Sequence, residues 1–543
     1  MASIFKPKFF TLLKAGISKE TIKKDLFAGT IVGIVAIPLS IAFAVASGVS
    51  PEKGLITAIF AGFFVSLFGG SRIMVAGPTG AMIIVIYGII QQYGFDGLVI
   101  SSIIGGLILI LFGLFRLGSV LKYIPRPLML GFNSAIAVLI FSTQIKDALG
   151  LNVEKIPTGF LQKWSFYFTN IHTFNYVAVA LTVVTILITV YSKKITSKIP
   201  GLFLAIVIVT GVSTIFDLPV STIKTVFGDI PVNIHLSIPN FDFATITDYI
   251  KPGFTIAILG AMVSLLTAVV ADGMIGGKHR SNTELIAQGI GNIITPLFGG
   301  IPATGAIART ATSVKNGGRT PIAGMFHSVV ILLIMLVFGR WAMLIPMSCL
   351  AGILIVVSYN MSEWRSFRSI LKGSKYDGAV LLSTFLLTIL VDISLAIEIG
   401  IVLAALLFMY RMSKLSNVIP IEKDSDLLDN YSTVAKGIDI YEISGPFFFA
   451  AAKEYQETLV NLNYKSKVVI LRMRHVPFID VTGLYNFEEI IKYLKGRHIS
   501  VILTGVVPEV RIELDKHNIT EMVGAENIKT SFESGLERAN QLN

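Results

Sequence analysis

A single cysteine, Cys349, stands in the 543 residues, inside an apolar run, so no intrachain disulfide can form and a cysteine-ligated metal site is not expected. Histidines are also few, and His279, His327 and the others show no metal-ligand spacing, so no metal and no cofactor is expected. Charge is scarce: 15% of residues are charged against 53% hydrophobic, with a mean hydropathy of +0.74. Ordinary soluble domains do not show that balance. No small-residue cleavage pattern precedes Leu26, so the Lys-rich start (Lys6, Lys8, Lys14, Lys19, Lys23, Lys24) reads as a retained arm rather than a signal peptide.

What the chain has instead is apolar runs long enough to cross a hydrocarbon layer of about 30 Å. Approximate spans are 26–47, 54–69, 78–91, 98–115, 127–144, 176–191 and 200–217, then 253–271, 284–298, 304–314, 321–339, 345–359, 377–394 and 396–412. This is seven plus seven, and the short third and tenth spans hold corresponding places. Because seven is odd, the second half is expected inverted relative to the first. The net charge of +11 suggests no nucleic acid, because the basic residues lie in turns rather than along one face. With the N-terminus inside, Arg116/Lys122/Arg126, Lys193/Lys194/Lys198, Lys278/Arg280, Lys315/Arg319, Arg365/Arg368/Lys372/Lys375 and Arg411/Lys414 all fall inside. The longer connections 146–175 and 219–252 fall outside, and both termini are expected in the cytoplasm of a multi-pass inner-membrane protein.

Residues 67–81 and 297–306 echo one another. The first reads Leu67-Phe68-Gly69-Gly70, a short extended stretch, then Gly77-Pro78-Thr79-Gly80-Ala81; the second reads Leu297-Phe298-Gly299-Gly300-Ile301-Pro302-Ala303-Thr304-Gly305-Ala306. Gly and Pro at matching places of two apolar halves predict discontinuous helices whose N-terminal ends face a mid-membrane site. Such ends carry unpaired N–H groups and about half a positive charge each, so an anion is the natural guest.

Beyond Lys414 the character changes. Residues 415–432, with Asp424, Asp426, Asp429 and Asn430, read as a linker between a membrane part (26–414, after the arm 1–25) and a soluble domain (433–543). In that domain β-type runs (Ile438–Ile443, Val468–Met473, Ile499–Leu503) alternate with helical ones (Ala450–Leu462, Gly483–Leu494, Pro508–Lys516), the pattern of a small α/β sheet.

With both parts placed, the chain resembles the SulP family of anion transporters, which join a fourteen-helix inverted-repeat core to a cytoplasmic STAS domain. The motifs that carry this are Ala271-Asp272-Gly273-Met274, Lys278-His279-Arg280-Ser281-Asn282-Thr283-Glu284-Leu285 and Gly299 through Thr310, with Asp480-Val481-Thr482-Gly483 similar to the loop-to-helix turn of STAS domains. The resemblance implies a core domain of spans 1–4 and 8–11 moving like an elevator against a gate domain, in a homodimer, without catalysed chemistry. It implies a pocket lined by Phe43, Thr79, Gly80, Ser264, Thr267, Ala306, Ala308 and Arg309. The guest is a small anion such as chloride, bicarbonate, sulfate or a dicarboxylate, and the STAS domain could engage a cytoplasmic protein partner.

Two departures stand out. Where many members carry a Gln after the first-span proline, this chain has Pro38-Leu39. Where many carry an acid in the eighth span, it has Val263 within Gly260-Ala261-Met262-Val263-Ser264. Losing that coupling acid points toward a monovalent anion carried without cation coupling. The alternatives are proton- or sodium-coupled symport, a membrane anion sensor signalling through the STAS domain, and a nucleobase carrier, which Arg309 disfavours.

Several residues have structural readings beside the functional ones. Arg309 could pair with a carboxylate or snorkel to the surface. Asp272 reads as a cap or ion pair, Asp25 as a cap of the first span, and Asp392 and Glu398 as outer gate residues. Thr79 and Thr304 could back-bond to their helices, and Thr482, a candidate for phosphorylation, is already explained as a structural turn after Asp480.

Overall fold

The computed structural model describes residues 5–119, 124–153, 156–157, 159–195, 200–228, 236, 239, 246–391, 393–414, 416–421, 434–461 and 466–543. Lys122, Lys198, Asp392, Asp424, Asp426, Asp429 and Asn430 lie outside them. The chain divides into two units, Met1–Ile401 and Val402–Asn543.

In the first unit, α1 (Lys8–Ala15) precedes α2 (Lys19–Ala46) and α3 (Pro51–Phe68), and the two-residue strand β1 (Ala76–Gly77) leads into α4 (Gly80–Leu114). α5 (Arg126–Leu149), α6 (Phe160–Asn170), α7 (Tyr176–Ile195), α8 (Gly201–Ile215), α9 (Ile223–Phe227), α10 (Ile250–Ile275) and α11 (Ser281–Leu297) follow. Strand β2 (Thr304–Gly305) then leads into α12 (Ile307–Lys315), before α13 (Pro321–Ala342), α14 (Met347–Met361), α15 (Trp364–Leu371) and α16 (Lys375–Leu390); α17 (Ile393–Lys414) contains the boundary between the units. Sequence signals set many of these starts. Ser18 caps α2 by accepting from the Thr21 N–H at 3.1 Å, and proline opens α3 and α13, where its missing N–H costs nothing.

Each expected apolar run coincides with a helix, but the runs 78–91 and 98–115 join in α4, which breaks only at Gly94 (φ 70°, ψ −169°). Among the described residues six helical segments are long and apolar enough to cross a membrane alone, and the bent pair Phe160–Thr173 and Tyr176–Ser192 offers a seventh. Helices pack in two sets: α4 against α10 and α11 and α13 against α2 and α3, while α5 packs on α14 and α16 and α7 on α8 and α14. α4 and α11 approach through glycine, where a Cβ on Gly106 would lie 2.7 Å from the Gly289 carbonyl oxygen and one on Gly289 2.4 Å from that of Gly106. Small residues permit such close backbone contact in apolar surroundings.

Asp25 corrects the sequence reading. It lies inside α2, fully buried, and caps another helix: its carboxylate accepts from the N–H groups of Arg319 (2.6 Å) and Thr320 (3.2 Å) and from the Thr320 hydroxyl, at the start of α13.

The second unit carries a five-stranded sheet in the order β3 (Asn417–Pro420), β4 (Ile438–Ser444), β5 (Val468–His475), β6 (Ser500–Thr504), β7 (Ile528–Lys529). β3 runs antiparallel and the others parallel. β3 falls inside the stretch expected to be a linker, so the sheet begins earlier than composition suggested. Helices α18 (Ala452–Asn461), α19 (Val481–Gly496), α20 (Pro508–Lys516), α21 (Ile519–Val523) and α22 (Phe532–Leu542) complete it. Alternation along each strand builds two cores. Tyr441, Ile443, Val469 and Leu471 pack on one face with Phe447 and Phe487, and Ile438, Ile440, Val468 and Ile470 on the other with Leu536.

Candidate functional site

Two extended stretches meet inside the first unit. β1 and β2 pair antiparallel, Ala76 opposite Gly305 and Gly77 opposite Thr304, and the Ala306 N–H donates to the Val75 carbonyl at 2.9 Å. All four strand residues are buried. So short a ladder leaves backbone groups unpaired, which is expensive in an apolar interior. Side chains complete it. Asn292 of α11 clamps Ala303 from both sides, accepting its N–H at 2.8 Å and donating to its carbonyl at 2.9 Å. Thr57 of α3 accepts from the Ile301 N–H at 2.7 Å, Thr310 from Val75 at 3.0 Å, and Ser264 from Gly305 at 2.9 Å. The Thr267 hydroxyl lies 2.7 Å from the Val263 carbonyl oxygen and 3.1 Å from that of Gly305.

α4 and α12 both start directly after these strands. Neither N-cap residue, Thr79 or Ala306, bonds its own helix through a side chain, so first-turn N–H groups and the positive ends of both dipoles remain at the strand pair. The hydroxyls of Thr79 and Thr304 meet across it at 2.8 Å.

Arg309 lies in the first turn of α12 and is 1% exposed. Its Nη2 donates to the Ser40 hydroxyl of α2 at 2.9 Å and to the Pro78 carbonyl at 3.4 Å, and its Nη1 is buried without a hydrogen-bond partner. No carboxylate lies within ion-pair distance of it among the described residues, and it does not reach the surface. Both structural readings offered for it therefore fail. The guanidinium rests on Gly77, where a Cβ would stand 2.0 Å from Nη1; any larger residue there displaces the charge.

Of the other residues expected at the pocket, Phe43 is buried on α2, one turn beyond Ser40, and Gly80 is buried against Met361, whose sulfur would lie 2.6 Å from an added Cβ. Ser264 and Thr267 are buried and committed to the backbone of Gly305. Ala306 is buried, whereas Ala308, one position before Arg309 on α12, is exposed. Val263 is half-buried one position before Ser264. A cavity of about 750 Å³, lined by Tyr87, Gln144, Asp147, Lys163 and Tyr167 among others, includes none of these residues.

Reading the sequence assigned no role to Ser40, Thr57 and Asn292, nor to Glu284 and Thr310, which it quoted only as motif positions. Glu284 is fully buried and accepts from the N–H groups of Gly70 and Ser71, both at 2.9 Å, fixing the loop that runs into β1. The available signal was a polar residue inside an apolar helix, which implies a buried partner. Asp272 accepts from the His279 N–H and lies 2.7 Å from His279 Nδ1, an ion pair or cap as expected. Among the described residues no group of three His, Cys, Asp or Glu side chains could hold a metal ion. In the second unit Asp480 caps α19 by accepting from the Gly483 N–H at 2.7 Å and also holds the Phe449 N–H at 2.9 Å, while Thr482 is exposed.

Comparison with known proteins agrees with this architecture. Residues 22–384 match the sulfate permease family model and 432–535 that of the STAS domain. "Putative sulfate transporter YvdB" of Bacillus subtilis is 39% identical, over 94% of this chain and 97% of that protein. The bicarbonate transporter BicA of Picosynechococcus is 30% identical, over 96% and 95%. Among solved structures, the murine solute carrier 26 family member A9 anion transporter in the inward-facing state superposes with a TM-score of 0.87, covering 98% of this chain and 94% of that one at 19% identity. The transmembrane domain of BicA gives 0.63, over 72% and 98%, at 27% identity. A polytopic helical membrane core with a C-terminal STAS domain, built on these motifs, places the chain in the sulfate permease (SulP) family of anion transporters.

Proposed function

We propose that the chain moves a small anion by elevator-type displacement of its core, with the anion held where β1 and β2 deliver the N-termini of α4 and α12. The observation that carries this reading is Arg309, a buried guanidinium with one unpartnered nitrogen and, among the described residues, no carboxylate within ion-pair distance, at the junction of two helix N-termini. A fixed positive charge in a poorly solvated place is costly unless a ligand or water compensates it. An anion approaching Nη1 would gain the guanidinium, the free N–H groups and both dipole ends at once.

The pocket proposed comprises Phe43, Thr79, Gly80, Ala306, Ala308 and Arg309, with Ser264 and Thr267 as backbone braces rather than ligands. The fourteen-span inverted repeat, a homodimeric state, an inner-membrane location and cytoplasmic termini belong to the same proposal. Relatives are named for sulfate and for bicarbonate. With Val263 where an acid would pair with Arg309, the uncancelled single charge favours a monovalent anion such as bicarbonate or chloride, carried by uniport or exchange without proton or sodium.

Val263→Glu tests this. The introduced acid would pair with Arg309, cancel much of the local positive field and add a group whose charge follows its surroundings. Flux in liposomes, measured across an anion panel with and without imposed proton and sodium gradients, should be gradient-independent and flat with pH in the wild type. In the variant it should fall near neutrality and recover on acidification. Strong proton- or sodium-driven uptake by the wild type, unchanged in the variant, would place the coupling elsewhere and refute the reading.

A further inference from the structure

The N-terminal arm is tied down at the ends of α3 and α11. The Lys8 N–H donates to the Gly69 carbonyl at 2.8 Å and the Lys6 N–H to the Thr283 hydroxyl at 3.2 Å. Arg280 closes the arrangement: its Nη1 donates to the Lys6 carbonyl at 2.7 Å and to the Thr11 hydroxyl at 2.9 Å, and its own N–H to the Gly70 carbonyl at 3.0 Å. Arg72 follows Gly70 by two positions. These bonds gather Lys8, Arg72 and Arg280 in one place.

None of the three has a carboxylate within ion-pair distance among the described residues. The acids nearby are already engaged, Glu284 by the backbone of Gly70 and Ser71 and Asp272 by His279. The Nε of Arg72 is buried with no hydrogen-bond partner. Burial, then Arg280 and Arg72, lower the pKa of the Lys8 ammonium below the ordinary lysine value, with Asp272 opposing them too weakly to restore it. Beside this cluster α1 turns apolar side chains outward, with Phe10 42% and Leu13 57% exposed, and carries Lys14 in its last turn. Exposed apolar side chains next to cations with no ion-pair partner, on a helix fixed to a membrane protein, are the two halves of an interfacial lipid site.

We propose that α1 lies in the membrane surface and that Lys8 and Arg72, with Arg280 behind them, hold the phosphate headgroup of an anionic phospholipid, while Phe10 and Leu13 enter its acyl boundary. The headgroup thereby bridges the arm to the Gly69–Arg72 loop, the segment that runs into β1. Arg280 serves chiefly as the strut that seats the arm, so it is left intact in the test.

Phosphatidylglycerol is titrated into detergent-solubilised full-length protein and retained lipid is counted by native mass spectrometry. Each lost cation should weaken retention about fivefold, so Lys8→Gln with Arg72→Gln should weaken it about 25-fold, and Lys8→Arg with Arg72→Lys should restore it. Phe10→Ser with Leu13→Ser, which leaves the cations in place, should also reduce retention. Phosphatidylcholine, zwitterionic, should be retained poorly by all forms. Equal phosphatidylglycerol retention by wild type and the glutamine double variant overturns the proposal. So does displacement of the lipid by inorganic phosphate in the wild type, which would assign the cluster to a soluble phosphate instead.

Discussion

Removing the Arg309 charge without filling its place is the decisive perturbation of the anion site. In Arg309→Ala the lost attraction can be sized from the geometry: two unit charges about 4 Å apart interact by about 4 kcal/mol at an effective dielectric constant of about 20. The dipole ends of α4 and α12 survive the substitution and keep part of the attraction. Anion affinity should therefore fall by roughly 2–4 kcal/mol, about 30- to 1,000-fold. Arg309→Lys keeps a point charge but has no second nitrogen to face the anion while the first holds Ser40 and Pro78, so its loss should be about tenfold. The fold should scarcely notice. A cation deep in a membrane protein costs about 3 kcal/mol on insertion scales, and a hydrogen bond from a charged donor, such as that to Ser40, returns about 1.5–3 kcal/mol. Arg309→Met should thus unfold near the wild-type midpoint while losing binding. Titration of the preferred anion, with thermal unfolding of the same samples, reads both quantities. Wild-type affinity in Arg309→Ala, or a collapse of thermal stability in Arg309→Met with affinity retained, would return Arg309 to a structural role.

Gly77→Ala should copy much of the Arg309→Ala loss without touching the charge, because its Cβ would stand 2.0 Å from Nη1 and displace the guanidinium; unchanged anion binding in a folded Gly77→Ala protein would mean that the position of the guanidinium is immaterial. Asn292→Leu removes both bonds to Ala303 and strands two buried backbone groups, so it should destabilise the strand pair by about 2–5 kcal/mol and lower the unfolding midpoint. An unaltered midpoint in that variant would show that β2 is held by the pairing alone.

Helix positions and the two breaks were legible because Gly, Pro and apolar length are local signals. The break after Phe68 and the one after Leu297 could be read as equivalent before anything was known of their pairing. Three of the five strands of the second unit, β4, β5 and β6, were legible as apolar β-type runs, but β3 and the two-residue β7 were not: Asn417–Pro420 becomes a strand only by pairing with β4. Asp25 was read as a cap of its own helix because local capping is the only partner a sequence offers; its real partners, Arg319 and Thr320, lie 294 and 295 residues away. Thr57 with Ile301, 244 residues apart, and Glu284 with Gly70, 214 apart, escaped for the same reason. Arg309 could be singled out from sequence because a charge in an apolar run needs a cause, but its rest on Gly77 and its bond to Ser40 belong to the assembled fold.

The way the strand pair is completed bears on why the site can hold a net positive charge. Two-residue strands cannot satisfy themselves, and any short polar side chain could have served as a brace. Those used are Asn292, Thr57, Thr310, Ser264 and Thr267, all neutral. Buried acids do occur in the same unit, Asp25 and Glu284, but they are spent on the loop before α13 and on the Gly70–Ser71 loop. A carboxylate at Ser264 would still accept the Gly305 N–H, and one at Asn292 the Ala303 N–H but not serve its carbonyl, since a carboxylate cannot donate; in either case a negative charge would stand beside the ends of α4 and α12 and oppose their field. Neutral braces serve both a donor and an acceptor of the strand pair, as Asn292 does for Ala303, while the acids at the loops serve donors only. Only this distribution leaves Arg309 and two helix ends uncancelled, so the choice of brace is itself part of the preference for an anion.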